Sequence, residues 1–252
     1  MDREQLRALL NDIAGHRCDV DRALDVLRDM PFEDATVALI DHHRSLRTGV
    51  PEVIYGAGKT PQQIVLIIGR MLADTGRAIV TRVYPEAVQA VQAQYPHARY
   101  DPVARMIAVG DFAAPAPAPF VAVVSAGTSD LPVAEEAALT LELLGTRAER
   151  LYDVGVAGVH RLLDKRAVLW QAACVVAVAG MEGALATVVG GLVDCPTIAV
   201  PTSIGYGVSF NGIAALLAML NSCAPGVSVV NIDNGFGAAV SAHMIVRGKR
   251  CA

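Results

Sequence analysis

Four apolar, β-branched runs punctuate the second half of this chain: FVAVVSA (120–126), ACVVAVA (173–179), PTIAVPT (196–202) and VSVVNID (227–233). A weaker fifth stands at ERLYDV (149–154), and helix-length segments separate the runs. Near-continuous apolar strands alternating with helices predict an α/β fold whose parallel sheet is buried on both faces. In such sheets ligands bind beyond the carboxyl ends of the strands. Small or polar residues stand at those ends: Gly127-Thr128-Ser129-Asp130, then 153–158, 180–183, 201–207 (with Gly205) and Asp233-Asn234-Gly235. These five loops are expected to converge on one edge and build one site.

The first half is less regular. Leu6, Leu9, Leu10 and Ile13 recur at helical spacing, as do Val20, Ala23, Leu24 and Leu27. A helix is expected at 61–74 with Pro61 in its first turn, then a strand at AIVTRV (78–83), a helix at 85–95 and a strand at ARMIAVG (104–110). DFAAPAPAPF (111–120) marks the boundary, because alternating Ala-Pro favours extended polyproline II and acts as a semi-rigid spacer. The expected organisation is an N-terminal α/β domain over 1–112, an Ala/Pro linker over 113–119, a larger domain over 120–247 and a tail over 248–252.

Composition narrows the class. With 53% apolar and 18% charged residues, a core is easily filled, and some apolar surface is expected to lie against another subunit. A formal charge of −4 argues against non-specific nucleic-acid binding, which needs a basic face. The start, MDREQLRALL, is charged from its second residue, so no secretory signal is read there. No apolar run has the length of a membrane span. Five cysteines, odd in number and without CxxC spacing, fit a reduced cytoplasmic protein with no structural zinc site.

Several residues bear chemistry. In VVSAGTSDLPVAEEA (123–137) a strand, a tight glycine turn and a helix N-terminus follow one another, with Pro132, Glu135 and Glu136 placed in the first helical turn. Such a turn aims backbone N–H groups at one point and binds phosphate, although many α/β proteins carry it without a ligand. Cys223, after the helical pattern 210–221, reads either as a packed small residue or as a nucleophile in need of a positive partner, since a helix C-terminus disfavours a thiolate. Cys174 lies inside an apolar strand and reads as core. Glu182 reads as an N-terminal helix charge or as a general base in a cleft. Asp153 and Asp233 could bind ribose hydroxyls or cap turns. His160 reads as a site residue or as a helix-surface residue. Arg44, Arg47, Glu52 and Lys59 flank a Gly-rich loop, where the cations suit a phosphate or carboxylate, or simply solvent. His42 and His43 are adjacent, so their side chains diverge, and joint metal ligation is not expected.

Taken in order, GTSDLPVAEEA, YDVGVAGVHRL, GMEGALATVVGGLVDCPTIAVPTSIGYG, GIAALLAMLNSCAPGV and NIDNGFGAA closely resemble the LarB family of nickel-pincer cofactor biosynthesis proteins. DHHRSLRTGVPEVIYGAGKT resembles that family's N-terminal segment, so the likeness covers about 35–245. The C-terminal part alone is similar to aminoimidazole ribonucleotide carboxylases and mutases, but VAGVHRL stands where they carry Ala-His-Arg.

The resemblance implies a flavodoxin-like, three-layer carboxylase-type domain behind a smaller N-terminal α/β domain. It implies carboxylation of nicotinic acid adenine dinucleotide at carbon 5 of its pyridinium ring, with carbon dioxide or bicarbonate as co-substrate. Hydrolysis of the phosphoanhydride then gives pyridinium-3,5-biscarboxylic acid mononucleotide and AMP, feeding a cofactor of the lactate racemase type. By resemblance Cys223 is the nucleophile and Glu182 the base, while Gly127, Thr128, Ser129 and Asp130 hold phosphate and ribose. Asp153, His160, Gly205, Asp233, Arg44 and Lys59 are further expected substrate contacts. No tightly bound cofactor and no protein metal site are expected, although magnesium bridging the phosphates is chemically compatible. A homo-oligomer, an octamer by resemblance, is expected. The rival readings are an aminoimidazole ribonucleotide carboxylase or mutase, and a non-catalytic nucleotide-binding module.

Overall fold

Every residue of the run Cys174–Ala179 is buried, the mark of a strand covered on both faces. In the computed structural model this strand is central to the second of two units, residues 112–252, the first being residues 1–111. The structure describes residues 3–28, 33–34, 38–41 and 43–250. His42 and Cys251 lie outside the described residues.

In the N-terminal unit, α1 (Arg3–Ala14) and α2 (Val20–Arg28) precede a ladder of β1 (Glu33–Asp34) and β2 (Leu39–Ile40). There follow α3 (Arg44–Thr48), β3 (Ile54–Tyr55), α4 (Pro61–Thr75), β4 (Arg77–Thr81), α5 (Pro85–Gln94), β5 (Arg99–Asp101) and β6 (Met106–Gly110). The last four strands form a sheet of order β3-β4-β6-β5, in which only β3 and β4 run parallel. α4 begins with a capping box: the Thr60 hydroxyl accepts from the Gln63 amide at 3.2 Å, and the Gln63 side chain accepts from the Thr60 amide at 2.9 Å. Its buried stripe, Ile64, Ile67, Ile68 and Met71, packs with Val80 and Ile107 of the sheet. The strand expected from residue 104 starts only at Met106, because Asp101 Oδ1 accepts from the Val103 and Ala104 amides and folds those residues into a turn.

The C-terminal unit contains β7 (Ala116–Ser125), α6 (Leu131–Leu143), β8 (Thr146–Leu151), α7 (Val159–Asp164), α8 (Arg166–Leu169), β9 (Cys174–Ala179), α9 (Ala184–Gly190), β10 (Thr197–Pro201), α10 (Ile213–Leu220), β11 (Val227–Val229) and α11 (Gly235–Arg250). Its sheet has the order β11-β10-β9-β7-β8, and every pair is parallel. Ala134, Ala137 and Leu141 of α6, with Ala238, Ala242 and Val246 of α11, cover one face. Leu162, Leu169, Leu185, Val189 and Met219 cover the other. This is the expected three-layer flavodoxin-like arrangement, and Cys174 is fully buried in it.

Three boundaries differ from the sequence reading. The Ala-Pro segment is not a spacer along its whole length: Ala116 already pairs with Thr146, and a register irregularity separates it from the regular ladder that begins at Phe120. Polyproline II and β backbone are neighbours in dihedral space, so an extended Ala-Pro run joins a strand end readily where no ladder hydrogen bond is required of proline. The tail is also shorter, because α11 continues through 248–250. Thirdly, Glu135 and Glu136 fall beyond the first turn of α6, which opens only at Leu131. Glu135 instead meets Arg150 at 3.1 Å, and buried Glu136 accepts from the Phe236 amide at 3.2 Å, so it serves the start of α11.

α11 approaches α6 closely where it begins. A Cβ on Gly235 would stand 2.2 Å from the Val133 carbonyl oxygen and 3.1 Å from the Ala137 amide nitrogen. Both are backbone atoms and cannot swing aside. Gly235→Ala is expected to destabilise the C-terminal unit by roughly 1–3 kcal/mol, read by urea denaturation. An unchanged midpoint would mean that the helices separate without strain.

Candidate active site

Parallel pairing brings five strand ends to one edge, and hydrogen bonds link the loops that leave them. The Ala126 amide donates to the Val178 carbonyl at 2.9 Å, and the Gly155 amide to the Ala126 carbonyl at 2.8 Å. Met181 donates to Ile204 at 2.9 Å, and Asp233 to Pro201 at 2.8 Å. A Cβ at Gly180 would sit 2.2 Å from the Ile204 carbonyl oxygen, so the loops after β9 and β10 can meet only at glycine.

Asp130 fixes this edge. It is 4% exposed; Oδ1 accepts from the Thr202 hydroxyl at 2.7 Å and Oδ2 from the Gly127 amide at 2.9 Å. Burial raises its pKa above the ordinary carboxylate value, opposed by the hydrogen bonds from Thr202, Gly127 and Gly180, while the nearby Asp233 charge adds to the rise. Asp233 is a second brace, its Oδ1 accepting from the Ser203 amide at 2.8 Å.

Beyond these braces lies a cleft of about 290 Å³, lined among others by Gly127, Ser129, Asp130, Arg161, Glu182 and Ile204. Glu182 is exposed at the turn between Met181 (φ +53°) and Gly183 (φ +67°), so a left-handed backbone carries it to the cleft wall. Arg161, on α7, donates to Asp153 Oδ2 at 2.6 Å. Asp153 itself has φ +56°, and its amide lies 3.3 Å from the Ser125 hydroxyl. The cleft thus offers a positioned guanidinium, a hydroxyl and an open carboxylate, a set that can hold an anion and move a proton.

Of the residues singled out in the sequence, Gly127, Ser129, Asp130 and Glu182 come together here. Thr128 is exposed in the same turn, while Asp153 acts on the cleft through Arg161. His160 is exposed on α7, and Gly205 packs on Ser209; neither lines the cleft. Arg161 was not singled out, although it follows His160 directly. It stands eight positions after Asp153, across a loop and the start of α7, so spacing alone does not announce the pair.

Cys223 lies elsewhere. It is exposed, follows α10 and precedes β11, which places it at the amino edge of the sheet. Its neighbour Ser222 shares a 2.8 Å hydrogen bond with Thr187 in the middle of α9. From the rise of helix and strand, Cys223 and Glu182 of one chain stand roughly 10–15 Å apart.

In the N-terminal unit the expected cations are engaged locally. Arg44 meets Glu52 at 3.2 Å, and Lys59 donates to the Tyr55 carbonyl at 2.8 Å. Arg47 meets Asp41 at 2.6 Å and holds that carboxyl below its usual range, chiefly by its hydrogen bond.

The raised pKa of Asp130 has a measurable sign. The folded chain keeps this proton to higher pH than the unfolded chain. The group's stabilising contribution is therefore complete below about pH 3.9 and is lost as pH rises through the raised folded value. Asp130→Asn removes the titration. Its stability relative to the native chain, from urea denaturation between about pH 3 and 7, is expected to improve through that window and then level off. A difference that stays flat throughout would show that burial does not act on this carboxyl.

Known proteins share this organisation. Residues 32–111 match the LarB/PurE-like N-terminal domain, and residues 120–251 match the AIR (aminoimidazole ribonucleotide) carboxylase domain. An uncharacterized protein of Methanocaldococcus jannaschii, MJ0165, is 42% identical over 216 residues, which are 82% of this chain and 83% of that protein. Among the described residues no group of three or more His, Cys, Asp or Glu is placed to hold a metal ion, and no helix is long and apolar enough to cross a membrane. With a LarB/PurE-like domain ahead of a flavodoxin-like carboxylase domain, the chain belongs to the AIR carboxylase family and has the LarB architecture.

Proposed function

We propose that this protein carboxylates the pyridinium ring of nicotinic acid adenine dinucleotide at carbon 5 and hydrolyses the phosphoanhydride, releasing pyridinium-3,5-biscarboxylic acid mononucleotide and AMP. The observation that carries the reading is the LarB/PurE-like domain joined to a carboxylase domain whose cleft presents Arg161 and Glu182 together. Arg161, held by Asp153, suits the mononucleotide phosphate, with Ser129 beside it.

The ring chemistry explains the residue types. A pyridinium is electron-poor, so its carbon 5 cannot attack carbon dioxide. A thiolate adding at carbon 4 gives a dihydropyridine in which carbon 5 ends an enamine. Carbon 5 then bonds to carbon dioxide, and a base takes its proton. The thiolate leaves carbon 4 with its electron pair, which restores the aromatic ring. In this reading Cys223 supplies the thiolate and Glu182 takes the proton. Carbon dioxide or bicarbonate is consumed, and water divides the phosphoanhydride. Magnesium carried on the substrate's phosphates is compatible with that last step, and no protein ligands are assigned to it.

Because Cys223 and Glu182 stand at opposite edges of one sheet, the reading includes a homo-oligomer in which Cys223 of one copy serves the cleft of another. Ile213, Leu217 and Leu220 support such a contact: they form an exposed apolar stripe on α10, leading up to Cys223.

Mass spectrometry after incubation with the dinucleotide and labelled bicarbonate tests the reaction. Labelled dicarboxylated mononucleotide and free AMP are expected. Cys223→Ser is expected to lose at least roughly a thousandfold in rate, and Glu182→Gln roughly 10²–10⁴-fold. Copies of the two variants, unfolded and refolded together, are expected to regain part of the activity, because one copy supplies the thiol and another the carboxylate. If the mixture stays inactive while native copies refold to full activity, the shared site is wrong. The AIR carboxylase match favours a second reading, and product from 5-aminoimidazole ribonucleotide but not from the dinucleotide would establish it.

A further inference from the structure

The cleft is lined by polar Ser129, Asp130, Arg161 and Glu182 and by aliphatic side chains; among the described residues that line it, none is aromatic. A planar nucleotide ring held there would have no aromatic face partner. The loop after β10 carries one close by. Ile204 lines the cleft, with its carbonyl fixed by the Met181 amide. Two residues on, Tyr206 is 81% exposed, the most exposed large side chain of that loop.

The loop is pinned at both ends. At its start the Thr202 hydroxyl holds Asp130, and the Ser203 amide donates to Asp233. At its end the Ser209 carbonyl accepts from Gly212 at 3.1 Å and from Ala214 at 3.2 Å. Between the pins Tyr206 stands between Gly205 and Gly207, the latter at φ +64°. Two residues of extended chain span roughly 7 Å, about the reach of a tyrosine side chain. Gly207, with open space around its α-carbon, gives the backbone beside Tyr206 the freedom to reorient the ring while both pins hold.

We propose that residues 205–208 form a flap between these fixed ends and that Tyr206 closes over the cleft to stack on the planar ring of the bound nucleotide, making it a specificity-determining residue. The inference rests on the proposed function only in that the cleft takes a ring-bearing nucleotide. An electron-rich phenol over an electron-poor or cationic ring gains both dispersion and quadrupole attraction. Closure would also bring apolar surface out of water and shield the reacting carbon from it.

Titration calorimetry on the full chain tests this with three probes: nicotinic acid adenine dinucleotide, 5-aminoimidazole ribonucleotide and ribose 5-phosphate. Tyr206→Leu is expected to weaken binding of the ring nucleotide that the native chain takes by roughly tenfold. Tyr206→Phe should bind within about twofold of the native chain, since it keeps the ring face. Ribose 5-phosphate should bind all three proteins alike, and light scattering should give all three the same mass. Equal ring-nucleotide affinity in Tyr206→Leu, an equal loss for ribose 5-phosphate, or a changed mass would each overturn the inference; the last would assign Tyr206 to a subunit contact. If the native chain binds only 5-aminoimidazole ribonucleotide, the dinucleotide reading fails, and the Tyr206 comparison is then decided on that nucleotide. Binding of neither ring nucleotide by the native chain would overturn both.

Discussion

A buried carboxylate, Asp130, organises the edge on which the site stands. It reaches the Thr202 hydroxyl at the end of β10 and the Gly127 amide at the end of β7. A charge so placed is unfavourable by itself, and only the donors converging on it make burial tolerable. The cost falls on a residue that is almost wholly buried, and the gain is geometric, since loops that leave separate strands are held at one spacing. Asp233 repeats the device one strand further on. Together they leave Ser129, Arg161 and Glu182 to face the cleft without having to brace its loops against one another.

The same economy separates bracing from chemistry among the carboxylates. Asp130 and Asp233 use backbone and hydroxyl donors of their own unit. Asp153 aligns a guanidinium and fixes its direction toward the cleft. Glu182 remains exposed, raised on a left-handed turn between Met181 and Gly183. A non-glycine residue at positive φ is strained, and such turns persist where the surroundings over-determine them. Here Gly180 and Gly183 on either side and the Ile204 carbonyl that accepts from Met181 do so.

How much of this the sequence discloses depends on range. The C-terminal sheet was legible because buried parallel strands are written as apolar runs, and parallel pairing forces their carboxyl ends to one edge. The convergence of five loops followed from that. The division of labour within the loops was not legible. Nothing local in GTSD distinguishes a carboxylate turned toward Thr202, 72 residues away, from one turned toward a ligand. Arg161 was hidden for the same reason, since its role comes from Asp153 and the cleft rather than from its neighbours in sequence. Glu136 looked like a charge for its own helix and proves to serve α11, a hundred residues on.

α9 sets the last constraint. It begins two residues after Glu182, and midway along it Thr187 holds Ser222, the residue before Cys223. The helix is therefore a strut between the candidate base and the candidate nucleophile, and a strut keeps its ends apart. Swinging Cys223 into its own cleft would break the Thr187–Ser222 bond and pull Ala224 from its packing near Gly190. A second copy would meet the same demand without that break, since the thiol is already exposed and lies at the end of an apolar stripe on α10. The low charge of the chain would have a physical use under the proposed arrangement: the surface that would bring Cys223 to a neighbour is the surface that would need to be apolar.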